Sequence, residues 1–220
     1  MNDPTTKFTA MTNAINPQKA FSAFSCLFLV IMLNSCMGLT KSHGYLDKDD
    51  PPLKEPVVMP WNAPSIPQGY HPSGNNFAGH LGIDIIGPRN TSVIAVDSGT
   101  IMTTKWDLLY GYQVVIRHNV KHEGKFVISR YLHLNARVVE AGDEVKRGQE
   151  IGTLGSTGFL ATYPHLHFEL GFAKTKKQHF FITENPHKYW YDGVGKISCF
   201  DKTKEYKKKT LGITYPLLCQ

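Results

Sequence analysis

The chain has 220 residues, room for one ordinary domain with appendages, and its 41% hydrophobic content is too high for a disordered chain. Nineteen glycines and thirteen prolines among many Val, Ile, Tyr and Phe favour short strands and tight turns over long helices, and no fixed-period repeat is present. The net charge is +6, and none of the four cysteines, Cys26, Cys36, Cys199 and Cys219, falls in a C-x-x-C pair, which argues against a cysteine zinc site or a thioredoxin-like motif.

Residues 20–33 form an apolar run preceded by Lys7 and Lys19, too short for a comfortable membrane span. This is the pattern of a signal peptide, with either Met1 or Met11 as its start. It ends in Leu33-Asn34-Ser35-Cys36, which resembles a bacterial lipobox. That resemblance implies cleavage after residue 35, acylation of Cys36 and a membrane anchor through that lipid. Met37, in place of an aspartate, resembles an outer-membrane address in a Gram-negative cell. Residues 36–67 are rich in proline and charge and read as a tether, with Val57, Val58, Met59 and Trp61 as points that dock on the domain. His43 reads as solvated.

The domain is expected over residues 68–175. Gly79-His80-Leu81-Gly82-Ile83-Asp84 places a histidine and a carboxylate four apart, with a glycine between them that lets the backbone bend both toward one point. Strands are expected at 93–96, 100–104, 111–118 and 126–134, with a hairpin turn at 121–125. Such close spacing predicts an all-β fold of two packed antiparallel sheets. In the strand at 126–134, alternation puts Ile128, Arg130 and Leu132 on one side and Ser129, Tyr131 and His133 on the other. His118 reads as structural in solvated surroundings, and His122 as a turn residue.

Tyr163-Pro164-His165-Leu166-His167-Phe168-Glu169-Leu170, read with period two, sets His165, His167 and Glu169 on one face and Leu166, Phe168 and Leu170 on the other. The apolar face suits a core, and the polar face presents two imidazoles at a spacing that can share a metal. Glu169 has two readings: a partner that fixes a ligand's tautomer, or a solvated strand carboxylate.

Together, His80-x-x-x-Asp84, Tyr131-Leu132-His133, Gly142-Asp143-x-Val145-x-x-Gly148-Gln149-x-Ile151-Gly152, Gly155-Ser156-Thr157-Gly158 and His165-Leu166-His167-Phe168-Glu169 resemble the M23 zinc endopeptidases of the lysostaphin and LytM type. The resemblance runs from about Tyr70 to Phe172, with the five motifs in the family's order. It implies a compact LytM-type β domain, a Zn2+ held by His80, Asp84 and His167, and catalytic roles for His133 and His165. For the tyrosine that helps some members hold the transition state, only Tyr70 and Tyr163 present themselves. Two nitrogens, one carboxylate and an open position suit a catalytic zinc with an activated water, and a neutral imidazole suits the general base.

The function expected is hydrolysis of peptide cross-links in bacterial peptidoglycan at the cell envelope, on the periplasmic face of the outer membrane, with no nucleic-acid partner. The alternative is a LytM-type regulator without catalysis that activates a cell-wall amidase. A biotinyl- or lipoyl-type carrier reading of the segment 142–152 ranks last, because no lysine sits at a suitable hairpin tip. Residues 176–220 read as a basic extension, since from residue 173 onward ten lysines face four acidic residues. The extension is expected either to bind an anionic surface or to be solvated. In an oxidising compartment Cys199 and Cys219 are expected to pair.

Overall fold

The structure is a computed structural model that describes residues 44–45, 56–72, 79–176, 181–206 and 210–220. Residues 1–35, read as a signal peptide, and Cys36 and His43 lie outside the described residues. Ten strands follow in chain order: β1 (Ile83–Ile86), β2 (Ser92–Ile94), β3 (Gly99–Asp107), β4 (Gly111–His122), β5 (Lys125–Leu134), β6 (Ala136–Arg137), β7 (Glu144–Val145), β8 (Glu150–Thr153), β9 (His165–Ala173) and β10 (Ile182–Glu184). A single 3-10 turn at Pro186–Lys188 is the helical element among the described residues.

The fold is all-β, as the strand spacing predicts. A large antiparallel sheet runs β1-β9-β5-β4-β3-β7, with β10 also on β9, and a small antiparallel sheet runs β2-β8-β6. The β4–β5 turn lies at Glu123 and Gly124, both with positive φ, the conformation that matches the twist of a two-residue hairpin.

The alternation in β9 decides which way the sheet faces. Leu166, Phe168 and Leu170 are fully buried with Ile83, Ile85, Val114, Ile116 and Tyr131 in the main core. Cross-strand partners share a face, so His167 on β9, Asp84 on β1 and Leu132 on β5 line up on the opposite side.

The two flanking segments add to this same core. Ile213, Tyr215 and Leu217, from the segment read as an extension, are fully buried in it, as are Ala63 and Ile66 from the segment read as a tether. The tail is therefore not a solvated appendage. Its apolar residues replace water contact with packing, and its backbone bonds to the domain at Ile94 N to Pro216 O (2.8 Å) and Thr214 N to Val96 O (3.0 Å). Arg147 fastens the junction, donating to the carbonyls of Val96 and Gly212 and pairing with Asp97 at 2.7 Å. Cys199 and Cys219 form a disulfide. Val57 and Met59 pack on the core, whereas Trp61 is 83% exposed and does not dock.

Candidate active site

Asp84 and His167 face each other across the β1–β9 ladder. Asp84 Oδ1 lies 2.8 Å from His167 Nδ1 and 3.1 Å from His80 Nε2, and the two ring nitrogens are 3.0 Å apart. His80 reaches this point from a short bridge with His71, and Gly82 makes the crossing feasible. A Cβ on Gly82 would collide with the Phe168 carbonyl and His167 Nε2 on β9.

The outer nitrogens of the two rings are also engaged. His80 Nδ1 donates to the Gly69 carbonyl at 2.5 Å, and His167 Nε2 donates to Glu169 Oε1 at 3.2 Å. Three ligand atoms converge while each imidazole is oriented by a partner behind it, as metal-binding histidines require. Tetrahedral bonds of ~2.05 Å place ligand atoms ~3.3 Å apart, close to the spacing here, so the donor set fits zinc. Glu169 is only 2% exposed, which favours the tautomer-fixing reading over the solvated one.

Electrostatics agree with a cation-binding cluster. Burial pushes the Asp84 carboxyl up, but hydrogen bonds and charge from His167 and His80 outweigh it and hold Asp84 well below the usual carboxylate range. Burial disfavours a charged His167, yet Asp84 and Glu169 raise its pKa to about 9, the mark of an imidazole beside strong negative charge. The carboxyl of Glu169 is lowered against burial by His167 and Arg130.

His133 and His165 flank this cluster with ring centroids 4.8 Å apart. His133 Nδ1 donates to the Thr157 carbonyl (2.9 Å) and His165 Nδ1 to the Tyr163 carbonyl (2.8 Å), an assignment that makes each Nε2 the free nitrogen. His165 Nε2 is 3.7 Å from Asp84 Oδ2. Burial lowers the pKa of His133 to about 4, so it is neutral at neutral pH.

His133 has φ 62°, a left-handed conformation that costs a non-glycine residue ~1–2 kcal/mol. It is held there by its N–H bond to Tyr110 O at 3.0 Å and by Gly155, where a Cβ would strike the backbone at His133, Leu134 and Asn135. The positive φ breaks the alternation of β5 and turns His133 to the face of Arg130, not that of Tyr131. The sequence reading of Arg130 as opposite to His133 is therefore corrected.

Arg130 opposes Glu169 across the β5–β9 ladder and clamps it with two hydrogen bonds of 2.7 and 2.6 Å. Arg130 and Tyr110 join the histidines in lining a cleft of about 280 Å³, and alternation alone did not point to either. The Tyr70 hydroxyl is committed to the Thr183 carbonyl at 3.1 Å, while the Tyr163 ring lies 4.7 Å from that of His165. His118, expected in solvated surroundings, is buried instead, because its position on β4 points inward and its Nε2 bonds Ser129 Oγ at 2.8 Å.

Residues 78–179 match the model of peptidase family M23. This segment belongs to the M23 peptidases. Over 103 residues, 47% of the chain, it is 39% identical to the peptidoglycan DD-endopeptidase ShyC of Vibrio cholerae, of which the match covers 22%. Over 114 residues, 51% of the chain, it is 33% identical to the murein hydrolase activator NlpD of Escherichia coli, of which the match covers 28%. The chain thus spans under a third of these relatives. The solution structure of lysostaphin superposes with a TM-score of 0.50 at 29% identity, covering 67% of this chain and 58% of that one.

Proposed function

We propose that the chain is a zinc-dependent endopeptidase that hydrolyses peptide cross-links of bacterial peptidoglycan. The observation that carries this reading is the pair of imidazoles, His133 and His165, each held at Nδ1 by a backbone carbonyl and set beside a complete His80–Asp84–His167 donor set. Bound zinc would supply Lewis acidity to a water and to the scissile carbonyl.

The protein's own groups supply the rest. His133 Nε2 accepts the proton of the attacking water, and the Thr157 carbonyl on Nδ1 stabilises the imidazolium that forms. His133 then delivers that proton to the leaving amine. His165, oriented by the Tyr163 carbonyl, is placed to stabilise the developing oxyanion through Nε2. Glu169, clamped by Arg130, keeps the His167 ring turned so that Nδ1 faces the donor cluster. An anchor at Cys36 would hold the enzyme at the envelope, on the periplasmic face of the outer membrane, within reach of this substrate.

Similarity to NlpD favours a second reading, a regulator that activates a cell-wall amidase. One experiment separates them: zinc per chain and release of soluble fragments from purified peptidoglycan, for wild type and His133→Ala. The peptidase reading expects one zinc in both proteins and a loss of cleavage of ~10²–10⁴-fold in the variant. No cleavage by zinc-supplied wild type would overturn it and leave the activator reading.

A further inference from the structure

The sheet face that bears the metal donors continues past Arg130. Across β5 and β9, Arg130 opposes Glu169, Ile128 opposes Gly171 and Phe126 opposes Ala173. Across β4 and β5, Arg117 opposes Ile128 and Lys121 opposes Phe126. Opposed residues share a face, so Arg117 and Lys121 lie on the same side of the sheet as His167. Between them and the cleft runs an apolar strip of Val115, Ile128 and Ala173, with Met102, Phe126 and Phe181 packed on it.

At the far end of this strip an open basin of about 470 Å³ gathers three cations, Arg117, Lys121 and Lys176. Lys105, Arg130, Arg147, Lys188 and Lys204 each reach a carboxylate. Among the described residues, the three basin cations reach none within ion-pair distance. Arg117 Nη2 donates to Thr100 Oγ1 at 3.3 Å, and Lys121 sits 4.4 Å over the Phe126 ring. The one carboxylate at the rim, Glu144, accepts from Thr100 Oγ1 at 2.8 Å. The basin is thus short of negative charge, with an apolar side at Phe126. A planar guanidinium and two ammonium groups suit a carboxylate, and the strip suits the aliphatic part of a peptide.

We propose that this basin is a carboxylate subsite for the peptide part of the cell-wall substrate. The proposal rests on the peptidase reading for its choice of ligand, because the stem peptides of peptidoglycan carry free carboxylates, and charge complementarity favours them. From Leu132, opposite His167, to Phe126 is six residues of one strand, or ~20 Å. The subsite therefore reads a group about six extended residues from the bond that is cut, and it selects substrates by charge at that distance.

The test uses the full chain and the variant R117Q/K121Q/K176Q, with soluble cross-linked muropeptides whose carboxylates are free or amidated. Equilibrium binding is read first, without turnover, and KM and kcat second. Wild type is expected to bind the free-carboxylate peptide ~10-fold more tightly than the amidated one. The triple variant is expected to bind both alike, with KM raised ~10-fold and kcat within about twofold of wild type. If the triple variant melts lower than wild type, the exposed K121Q is read instead, with an expected loss of ~2–3-fold that salt abolishes. Equal wild-type affinity for the two peptides, or a preference retained in the variant, overturns the subsite. Tighter competition by a polyglycerol phosphate than by the peptide overturns the carboxylate assignment in favour of a phosphate polymer. A preserved preference without any cleavage refutes the peptidase reading and leaves the subsite standing.

Discussion

Replacing Glu169 with glutamine tests whether the site depends on the partner behind its ligand. The Glu169 side chain is 3% exposed and carries two short hydrogen bonds from Arg130 and one from His167 Nε2. Removing one member of a buried pair costs ~3–5 kcal/mol when the other charge is stranded. Here Arg130 retains 25% side-chain exposure and glutamine keeps one acceptor, so the loss is expected at the lower end, ~1–3 kcal/mol. The effect on metal is separate. Without the carboxylate, His167 is less basic and its ring less firmly oriented, and zinc affinity is expected to fall ~10–100-fold. Competition titration against a chromophoric chelator reads the affinity, and urea unfolding with and without zinc reads the stability. A zinc affinity within about twofold of wild type, with stability lowered, would refute the reasoning and reduce Glu169 to a structural ion pair.

Three further outcomes are expected. His187 is buried, accepts from Trp190 Nε1 through Nδ1 at 3.0 Å, and is held neutral by burial, which lowers its pKa to about 4. Its folded pKa is depressed, so its contribution is fully present above pH ~6.5 and is lost as pH falls toward 4, by up to about 3 kcal/mol. The difference in ΔG-versus-pH slope between wild type and His187→Asn isolates it, and parallel curves would reject it. Removing the Cys199–Cys219 disulfide, which spans 20 residues, is expected to lower stability by ~3 kcal/mol in paired Cys→Ser variants, and an unchanged urea midpoint would contradict this. Gly82→Ala forces a methyl into the Phe168 carbonyl and is expected to cost ~1–3 kcal/mol and weaken zinc binding. Wild-type zinc affinity in that variant would show that β1 can move away.

Much of the site was legible because it is encoded in local spacing. Strand alternation alone puts His165, His167 and Glu169 on one face, and Gly82 between His80 and Asp84 marks the bend that brings them together. The two-sheet class follows in the same way from short apolar runs punctuated by glycine. The pairing of partners distant in sequence was not legible. Nothing in the order of residues says that Arg130 opposes Glu169, since a register depends on how two strands 39 residues apart meet. The positive φ of His133 is likewise invisible, because it is imposed by the Gly155 backbone and the Tyr110 carbonyl.

The flanks divide along the same line. Composition marks residues 36–67 as proline-rich and charged and residues 176–220 as basic, and a sum of charges describes what faces water. Ile66, Ile213, Tyr215 and Leu217 are too few and too scattered to announce a core by their pattern, and only the tertiary structure buries them together. By itself, then, the sequence determined the all-β class and the local His80–Asp84 and His165–His167–Glu169 spacings, because each is a short-range pattern of residue type and period, while the grouping of these residues with His133 as one metal site was what the resemblance to the M23 endopeptidases implied. The tertiary structure decided the orientation of His133, the Arg130–Glu169 clamp and the inclusion of both flanks in one core, because each depends on contacts between segments far apart in the chain.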